Sequence, residues 1–579
     1  MSTDATTVRL RDRLLDDPAG PGLKGTPSWR RTRSAGDGQR VRAQAHARRG
    51  KAIAAAALIW IGMCVLLIVL AAADRPSFLS SPSHYGFFPH WLAGPLGGLW
   101  PGFTRSPQAI KALLTGALVT MYAAYVVGLK YVPLLRARWT IATIAAMHAI
   151  LLLSPPLSLT DVFNYINYGR MGMLHGFNPY TTIPALGPHS DPSYALSNWH
   201  QLLTPYGPLF TLITYAVVPF GIAGALWTFK VMLMVLSLAT LLLVWRCARL
   251  LGRGGRDCIR AIALVGLNPL VLVWGLGGDH NDFFMVFCIT LAFYLLLRAR
   301  APGIAPELES IKPNASTDLG STAPLGAAPG SNGEPLVDPL TALAVRIDGG
   351  RRDPGAERRS WMRPRAWLLP PASLEIGAGV ALAAAIALKA SAAIFVPVVL
   401  VALLRAPRRM ARVALGLVAG GAVLGAAAVV AFGFHIPDLG VQGRLVIPMS
   451  LPNLLGLVLG QGGETATMRR LLSGVLVLSV LGCCVLAWRR RDALTAAGWA
   501  TIALMVTLSW VLPWYVLWVL PLAALSRSRA LRASALAFGA FLLLTWMPLA
   551  TAMDNALGIR PTSTTLGQQH QRFVKELLH

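Results

Sequence analysis

Asp161, Asn164, Tyr165 and Tyr168 stand at i, i+3, i+4 and i+7 in the stretch DVFNYINYGR. On a helix that spacing puts a carboxylate, an amide and two phenols on one face. Such a face suits a sugar: carboxylate and amide meet hydroxyl groups, and the phenol rings cover the apolar side of a pyranose. The carboxylate can also serve as general base toward a hydroxyl within hydrogen-bond reach. A simpler role is equally open, because an aspartate at a helix start caps the first backbone N–H groups. The two roles are compatible. The polar stretch as a whole, residues 158–180, carries three asparagines, three tyrosines and Arg170, and follows directly on the apolar run IATIAAMHAILLLSPPL.

Other groups of the same kind recur along the chain. HGFNPY (175–180) combines Gly176 for a turn with Pro179, which fixes φ, and offers Asn178 and Tyr180 as contacts. By itself it reads as an ordered loop. TPYGPL (204–209) reads as a helix start with a proline in its first turn, and contributes Tyr206. GGDHND (277–282) gathers Asp279, His280, Asn281 and Asp282. Three readings stand: a phosphate gripped by His280, a hard cation bridging Asp279 or Asp282 to a phosphate, or a polar hairpin capping the next helix. The spacing does not suit zinc. No resident metal or other cofactor is expected, a divalent cation being the one open alternative.

Lys389 sits between ALAAAIAL and SAAIFVPVVLVALL, two apolar stretches short for spans. An ionisable group at membrane depth is costly and marks a functional candidate, here for neutralising a lipid-linked phosphate; the alternative is a lysine snorkelling from a helix end. Arg444, in HIPDLGVQGR, is a second such cation. Trp514 and Tyr515 in LPWY form either an interfacial aromatic belt or a wall against lipid or sugar.

The elements that must position these residues are membrane helices. Of 579 residues 55% are hydrophobic and 13% charged, with a mean hydropathy of +0.55. Runs near the roughly 20 residues needed to cross a bilayer recur from end to end, so an all-α polytopic membrane protein is expected. The net charge of +27 does not point to nucleic acid. Its arginines cluster in short loops between apolar runs, as at 253 and 256, 408 and 409, and 489–491, which is the positive-inside pattern; membrane lipids are the natural partners. The six cysteines fall in no loop expected outside, so no disulfide framework is implied.

Residues 1–51 read as a disordered basic cytoplasmic tail with no cleaved signal peptide, and residues 298–371 as a disordered cytoplasmic insertion rich in Pro, Gly and Ser. Between them lies a first transmembrane part, 52–297, carrying an outer loop at 158–205. A second part covers 372–549, and an external tail covers 550–579. The short piece 205–221 reads as half-inserted or interfacial, since a full crossing would put the arginine-rich loop 246–260 outside. The total is thirteen spans. With parity set by loop charge alone, Asp161, GGDHND, Lys389, Arg444 and LPWY all fall on the outer side.

With those residues assembled, the chain resembles the polyprenol-phosphate-mannose-dependent α-1,6-mannosyltransferases of actinobacteria, multi-spanning glycosyltransferases of the GT-C type. DVFNYINYGR, HGFNPY, PYGPLF, GGDHNDFFMV, AIALKASA and LPWYVLW carry the resemblance, over residues 158–518. It implies about thirteen transmembrane helices and a catalytic carboxylate in an outer loop, which maps onto Asp161. It also implies a polyprenyl-phosphate mannose donor, a lipid-anchored α-1,6-mannan acceptor as in lipomannan, and a site on the outer face of the plasma membrane. No phosphate-binding residue carries over, so His280, Lys389 and Arg444 remain the candidates from their own chemistry.

Alternatives of the same class are transfer of arabinose or of mannose to another position. From other classes come a lipid flippase or transporter, and a ligase acting on a diphosphate carrier. A transporter would want polar residues at the midplane of broken, repeated helices, whereas here they gather at one face and no repeat is evident.

Overall fold

The computed structural model describes residues 29–74, 90–99, 106–157, 161–300 and 370–578. The expected insertion at 298–371 therefore lies almost wholly outside the described residues. Those described form helices, turns and loops, with no strand among them. Seven helical segments are long and apolar enough to cross a membrane, and four shorter apolar helices accompany them. That is the polytopic architecture expected from the composition.

Helix α1 (Trp29–Asp74) runs without interruption for 46 residues. It starts well inside the segment expected to be disordered, because the arginines, alanines and glutamines of 29–51 favour helix and no proline breaks them. Helices α2 (Pro107–Tyr131) and α3 (Ala137–Leu153) follow, then α4 (Asp161–His175) and the single-turn α5 (Pro192–Leu196). Helix α6 (Pro208–Val217) has ten residues, a length of about 15 Å, half of a bilayer core. Pro219 and Gly221, at φ 70°, separate it from α7 (Gly221–Leu250).

The centre of the protein is the segment from α8 (Gly255–Gly266) through a π-helical turn at Val271–Leu276 to α9 (Asp282–Arg298). Nearly every residue of 258–283 is buried. A helix that is apolar all round belongs inside other helices, and both α7 and the later helix Val516–Leu525 pack along this segment.

From residue 371 onward come α10 (Pro371–Leu388), α11 (Phe395–Ala402), α12 (Pro407–Phe432), α13 (Leu439–Gln442) and α14 (Leu451–Val458). Helices α15 (Ala466–Arg490), α16 (Ala493–Thr507), α17 (Val516–Leu525) and α18 (Arg529–Trp546) close the bundle. Two more, α19 (Ala550–Ala556) and α20 (Thr565–Leu578), occupy what the sequence suggested was a tail. Helices α12 and α15 lie at the rim. Val418, Val423 and Leu478 are each 69% exposed, the apolar surface a helix presents to lipid.

Helices α10 and α12 approach closely at Gly416, where an added Cβ would strike the backbone carbonyl of Ile376. Small residues allow such backbone contact between membrane helices. Gly416→Ala must part the two helices and is expected to cost about 2 kcal/mol. Gly421→Ala, on the same helix with open space around it, is expected to leave the thermal unfolding midpoint in detergent unchanged or slightly higher. Equal midpoints for the two variants would contradict the close crossing.

Candidate active site

Asp161 is the first residue of α4, and its side chain is 17% exposed at the wall of a cavity of about 550 Å³. That volume lies within the range of small-molecule sites. Tyr165 and Tyr168, one and two turns further on, line the same cavity. The Tyr165 ring stands edge-on to Tyr206 and Phe210 with centroids 4.9 Å from each. Tyr168 Oη donates to the Leu202 carbonyl at 2.6 Å. No described residue donates a hydrogen bond to Asp161, so the carboxylate does not cap α4.

The turn after the π-helical segment brings His280 to the carboxylate. Its Nδ1 lies 3.3 Å from Asp161 Oδ2. Both ring nitrogens nevertheless lack a hydrogen-bond partner; the approach is close enough for charge pairing but not aligned for a hydrogen bond. The imidazole is held by stacking on Trp514, centroids 3.3 Å apart and planes 10° from parallel. LPWY is thus buried at the site. It is not an exposed interfacial belt, and Trp514 and Tyr515 line the cavity.

A second charge pair stands beside the first. Lys389 Nζ donates to Asp282 Oδ1 at 2.7 Å, and Trp518 Nε1 donates to the same oxygen at 2.5 Å. The ammonium also lies over the rings of Tyr515 and Trp518, at 4.7 and 5.0 Å, a cation–π arrangement. Lys389 has an extended backbone that breaks the helix between α10 and a 3-10 turn at Ala390–Ile394. The TPYGPL loop secures that break. Gly207 N donates to the Leu388 carbonyl at 3.2 Å, an approach that a Cβ at Gly207 would block. Lys389 keeps 23% of its side chain exposed, so it faces the cavity while paired.

The third carboxylate goes elsewhere. Asp279 takes the left-handed conformation at φ 56° and pairs with Lys230 of α7 at 3.4 Å, the two side chains being 2% and 1% exposed. Burial pushes the Asp279 carboxyl up from its usual range, against the pull of Lys230. The carboxylates suggested for a bridging cation are thus each engaged by an ammonium group. Among the described residues no three His, Cys, Asp or Glu side chains converge on one point.

Several residues expected to touch a ligand hold the polar loop after α4 instead. Asn164 does not face the cavity. Its amide donates to Asn198 Oδ1 at 2.8 Å and its oxygen accepts from the Asn198 and Trp199 backbones. Arg170 and His175 both bind Asp191, each at 2.9 Å. Burial would raise the Asp191 carboxyl, but Arg170, His175 and Ser193 together hold it below the usual range. Asn178 donates to the Phe432 carbonyl at 2.7 Å, and Tyr180 Oη bonds Thr211 and the Tyr206 carbonyl. Arg444 lies over the Phe573 ring at 4.8 Å and is not on the cavity wall. Asn281 is on that wall, its backbone N–H facing Tyr165 Oη at 3.4 Å.

Other wall residues had no signal in the reading of the polar motifs. Trp199, Trp510, Trp518 and Trp546 contribute rings, and α20 closes one side with Val574 and Leu578. Helix α20 is seated by Leu577, packed with Leu202 and Leu445, and by the Leu577 carbonyl, which accepts from Gln201 N at 3.0 Å. Its apolar residues recur at helical spacing in TLGQQHQRFVKELL. Leu577→Asp loses about 2 kcal/mol of apolar burial. Amide exchange over 565–578 is then expected to accelerate roughly thirtyfold. Unchanged exchange would mean the helix is held by something else.

Residues 59–405 match the family described as alpha-(1->6)-mannopyranosyltransferase, N-terminal domain, and residues 449–564 match the MptB C-terminal domain. An alpha-(1->6)-mannopyranosyltransferase of Mycobacterium tuberculosis is 30% identical over 418 residues, 67% of this chain and 65% of that protein. Alpha-(1->6)-mannopyranosyltransferase A of the same organism is 34% identical over 167 residues, 28% of this chain and 31% of that protein. Its namesake in Corynebacterium glutamicum is 29% identical over 161 residues, 27% and 32% of the two chains. The matched regions thus cover just under two thirds of the first relative's length and about a third of the other two. No solved structure matches.

Proposed function

Since the chain belongs to the alpha-(1->6)-mannopyranosyltransferase family, we propose that it transfers mannose, with inversion, from polyprenyl-phosphate mannose to a lipid-anchored α-1,6-mannan. The reaction runs on the outer face of the plasma membrane. Asp161 takes the proton from the acceptor hydroxyl as that oxygen attacks the anomeric carbon of a β-linked mannosyl phosphate. The bond from that carbon to the phosphate oxygen breaks, and the electron pair leaves with the polyprenyl phosphate. Proton transfer to a positioned carboxylate contributes about 10²–10⁴-fold to such a step.

The observation that carries this reading is the placement of the Asp161 carboxylate. It takes no hydrogen bond from a described residue, and it opens on a cavity shared with tyrosines, tryptophans and Lys389. Aromatic walls suit a sugar ring and the head of a prenyl chain. Lys389 is the cation for the departing phosphate, where fixed positive charge in a site shielded from water is most effective. Its pairing with Asp282 holds the ammonium in place. His280, held flat by Trp514, stands beside the Asp161 carboxylate with Nδ1 3.3 Å from Oδ2. Arg444 has no part in this scheme, because it is engaged with α20.

The donor is the testable point. Purified protein given an α-1,6-mannan oligomer should transfer from polyprenyl-phosphate mannose and leave GDP-mannose untouched. Polyprenyl-phosphate arabinose should compete weakly. Transfer from the nucleotide sugar, or preference for the arabinosyl donor, would overturn the assignment.

A further inference from the structure

Helix α9 starts at Asp282 in the active-site cavity and ends at Arg298 after 17 residues in all, so its far end lies about 25 Å away. A second cavity of about 290 Å³ lies at that end. Arg253, Arg300, Arg490, Arg491 and Arg527 line it, with Asp492 as the one carboxylate. Asp492 does not neutralise them. Its oxygens accept from the Thr495 backbone at 3.0 Å and from the Thr495 hydroxyl at 2.6 Å.

A third cavity of about 270 Å³ shares Arg300 and Arg491 with the second, and adds Arg405 and Arg409. Arg409 pairs with Glu375, yet its Nη2 is buried without a partner. Arg253 is fixed in place by the carbonyls of Ala524 and Ser526, at 2.5 and 3.0 Å. Arg491 is held at φ 53°, a conformation disfavoured for any residue with a side chain. Arg300, Arg490, Arg491 and Arg527 form no ion pair among the described residues. Membrane sidedness accounts for arginines in short loops. It does not account for their convergence on one cavity.

We propose that this cavity binds a phosphate oxyanion among Arg300, Arg491 and Arg527, and that the phosphate is carried by a lipid. Guanidinium groups pair with phosphate through short, charge-assisted hydrogen bonds, and several around one space call for an anion. The inner wall is apolar, formed by Phe293, Leu297, Val399, Leu403 and Leu494. A lipid chain fits against that wall while its phosphate meets the arginines. This site is separate from the Asp161 cavity and does not depend on the transfer reaction proposed there.

The test is native mass spectrometry of the full-length protein in detergent, titrated with phosphatidylglycerol, with a diacylglycerol of the same chains, and with inorganic phosphate. Phosphatidylglycerol should bind and the diacylglycerol should not. Arg300→Gln/Arg491→Gln should weaken phosphatidylglycerol roughly tenfold or more, since each basic residue near an anionic headgroup contributes several-fold. Arg527→Gln lies in an exposed turn and keeps the test usable should the double variant not accumulate; it should weaken binding about threefold or more. Arg529→Gln removes the same charge two residues away from a side chain outside the cavity, and should leave affinity unchanged. Inorganic phosphate that binds as well as the lipid, with the same dependence on Arg527, would keep the anion site and assign it to a soluble phosphate. Equal effects of Arg527→Gln and Arg529→Gln, or no loss in the double variant, would overturn the site.

Discussion

Asp161→Asn is expected to lower mannosyl transfer by about a thousandfold or more while the protein accumulates and unfolds as the unsubstituted chain does. The substitution keeps shape and volume but removes the group proposed to accept the acceptor's proton. The fold should tolerate it, because no described residue donates a hydrogen bond to Asp161 and its side chain remains 17% exposed. Loss of the neighbouring charge leaves His280 stacked on Trp514. Asn164→Asp gives the contrast. It alters a buried amide that holds Asn198 and Trp199, so its effect falls on loop stability first. A thousandfold loss in Asp161→Asn accompanied by equal loss of folded protein would make the carboxylate structural instead of catalytic.

Lys230→Met is expected to have the largest effect on folding. Removing one partner of a buried ion pair costs about 3–5 kcal/mol, because the other charge is left uncompensated. Lys230 and Asp279 are among the most enclosed charged side chains, 2% and 1% exposed, and Asp279 sits on the turn that presents His280. Asp279→Asn on top of Lys230→Met should recover most of the loss. Asparagine tolerates the left-handed backbone that this position needs and brings no charge.

The single variant should also depend on pH in a definite direction. Burial already raises the folded Asp279 carboxyl, and without Lys230 only the nearby His280 opposes that rise. A group raised in the folded state stabilises at pH below its unfolded value and loses that contribution as pH climbs through the folded one. Lys230→Met should therefore unfold more readily at pH 8 than at pH 5.5, measured by thermal unfolding in detergent. A pH-independent deficit, or no rescue by Asp279→Asn, would contradict the pairing.

Residues that break an apolar context were legible. Asp161, the GGDHND turn and Lys389 stand out because an ionisable group beside a membrane run is costly, and the structure brings all three to one cavity with Trp514 and Tyr515. Lys230, inside GALWTFKVML, carries the same signal. Asn164, Arg170, Asn178 and Tyr180 show the opposite limit. A polar side chain that binds a sugar and one that clamps a loop look alike until the partner is known, and these partners, Asn198, Asp191, Phe432 and Thr211, are set by tertiary contact. Helix α20 lies in what the sequence suggested was an external tail, although Leu566, Phe573, Val574 and Leu577 recur at helical spacing; nothing local says that it returns to cover the site. Residues 205–221 include a helix of only ten residues because Pro219 and Gly221 end it.

The central claim is inversion at the anomeric carbon with Asp161 as base. Purified protein is given polyprenyl-phosphate mannose labelled with ¹³C at the anomeric carbon, in the β configuration, together with an α-1,6-mannan oligomer. The anomeric carbon–proton coupling of the product is then read by NMR. A new mannose α-linked to O6 of the acceptor is the predicted result; a β-linked product would contradict the account.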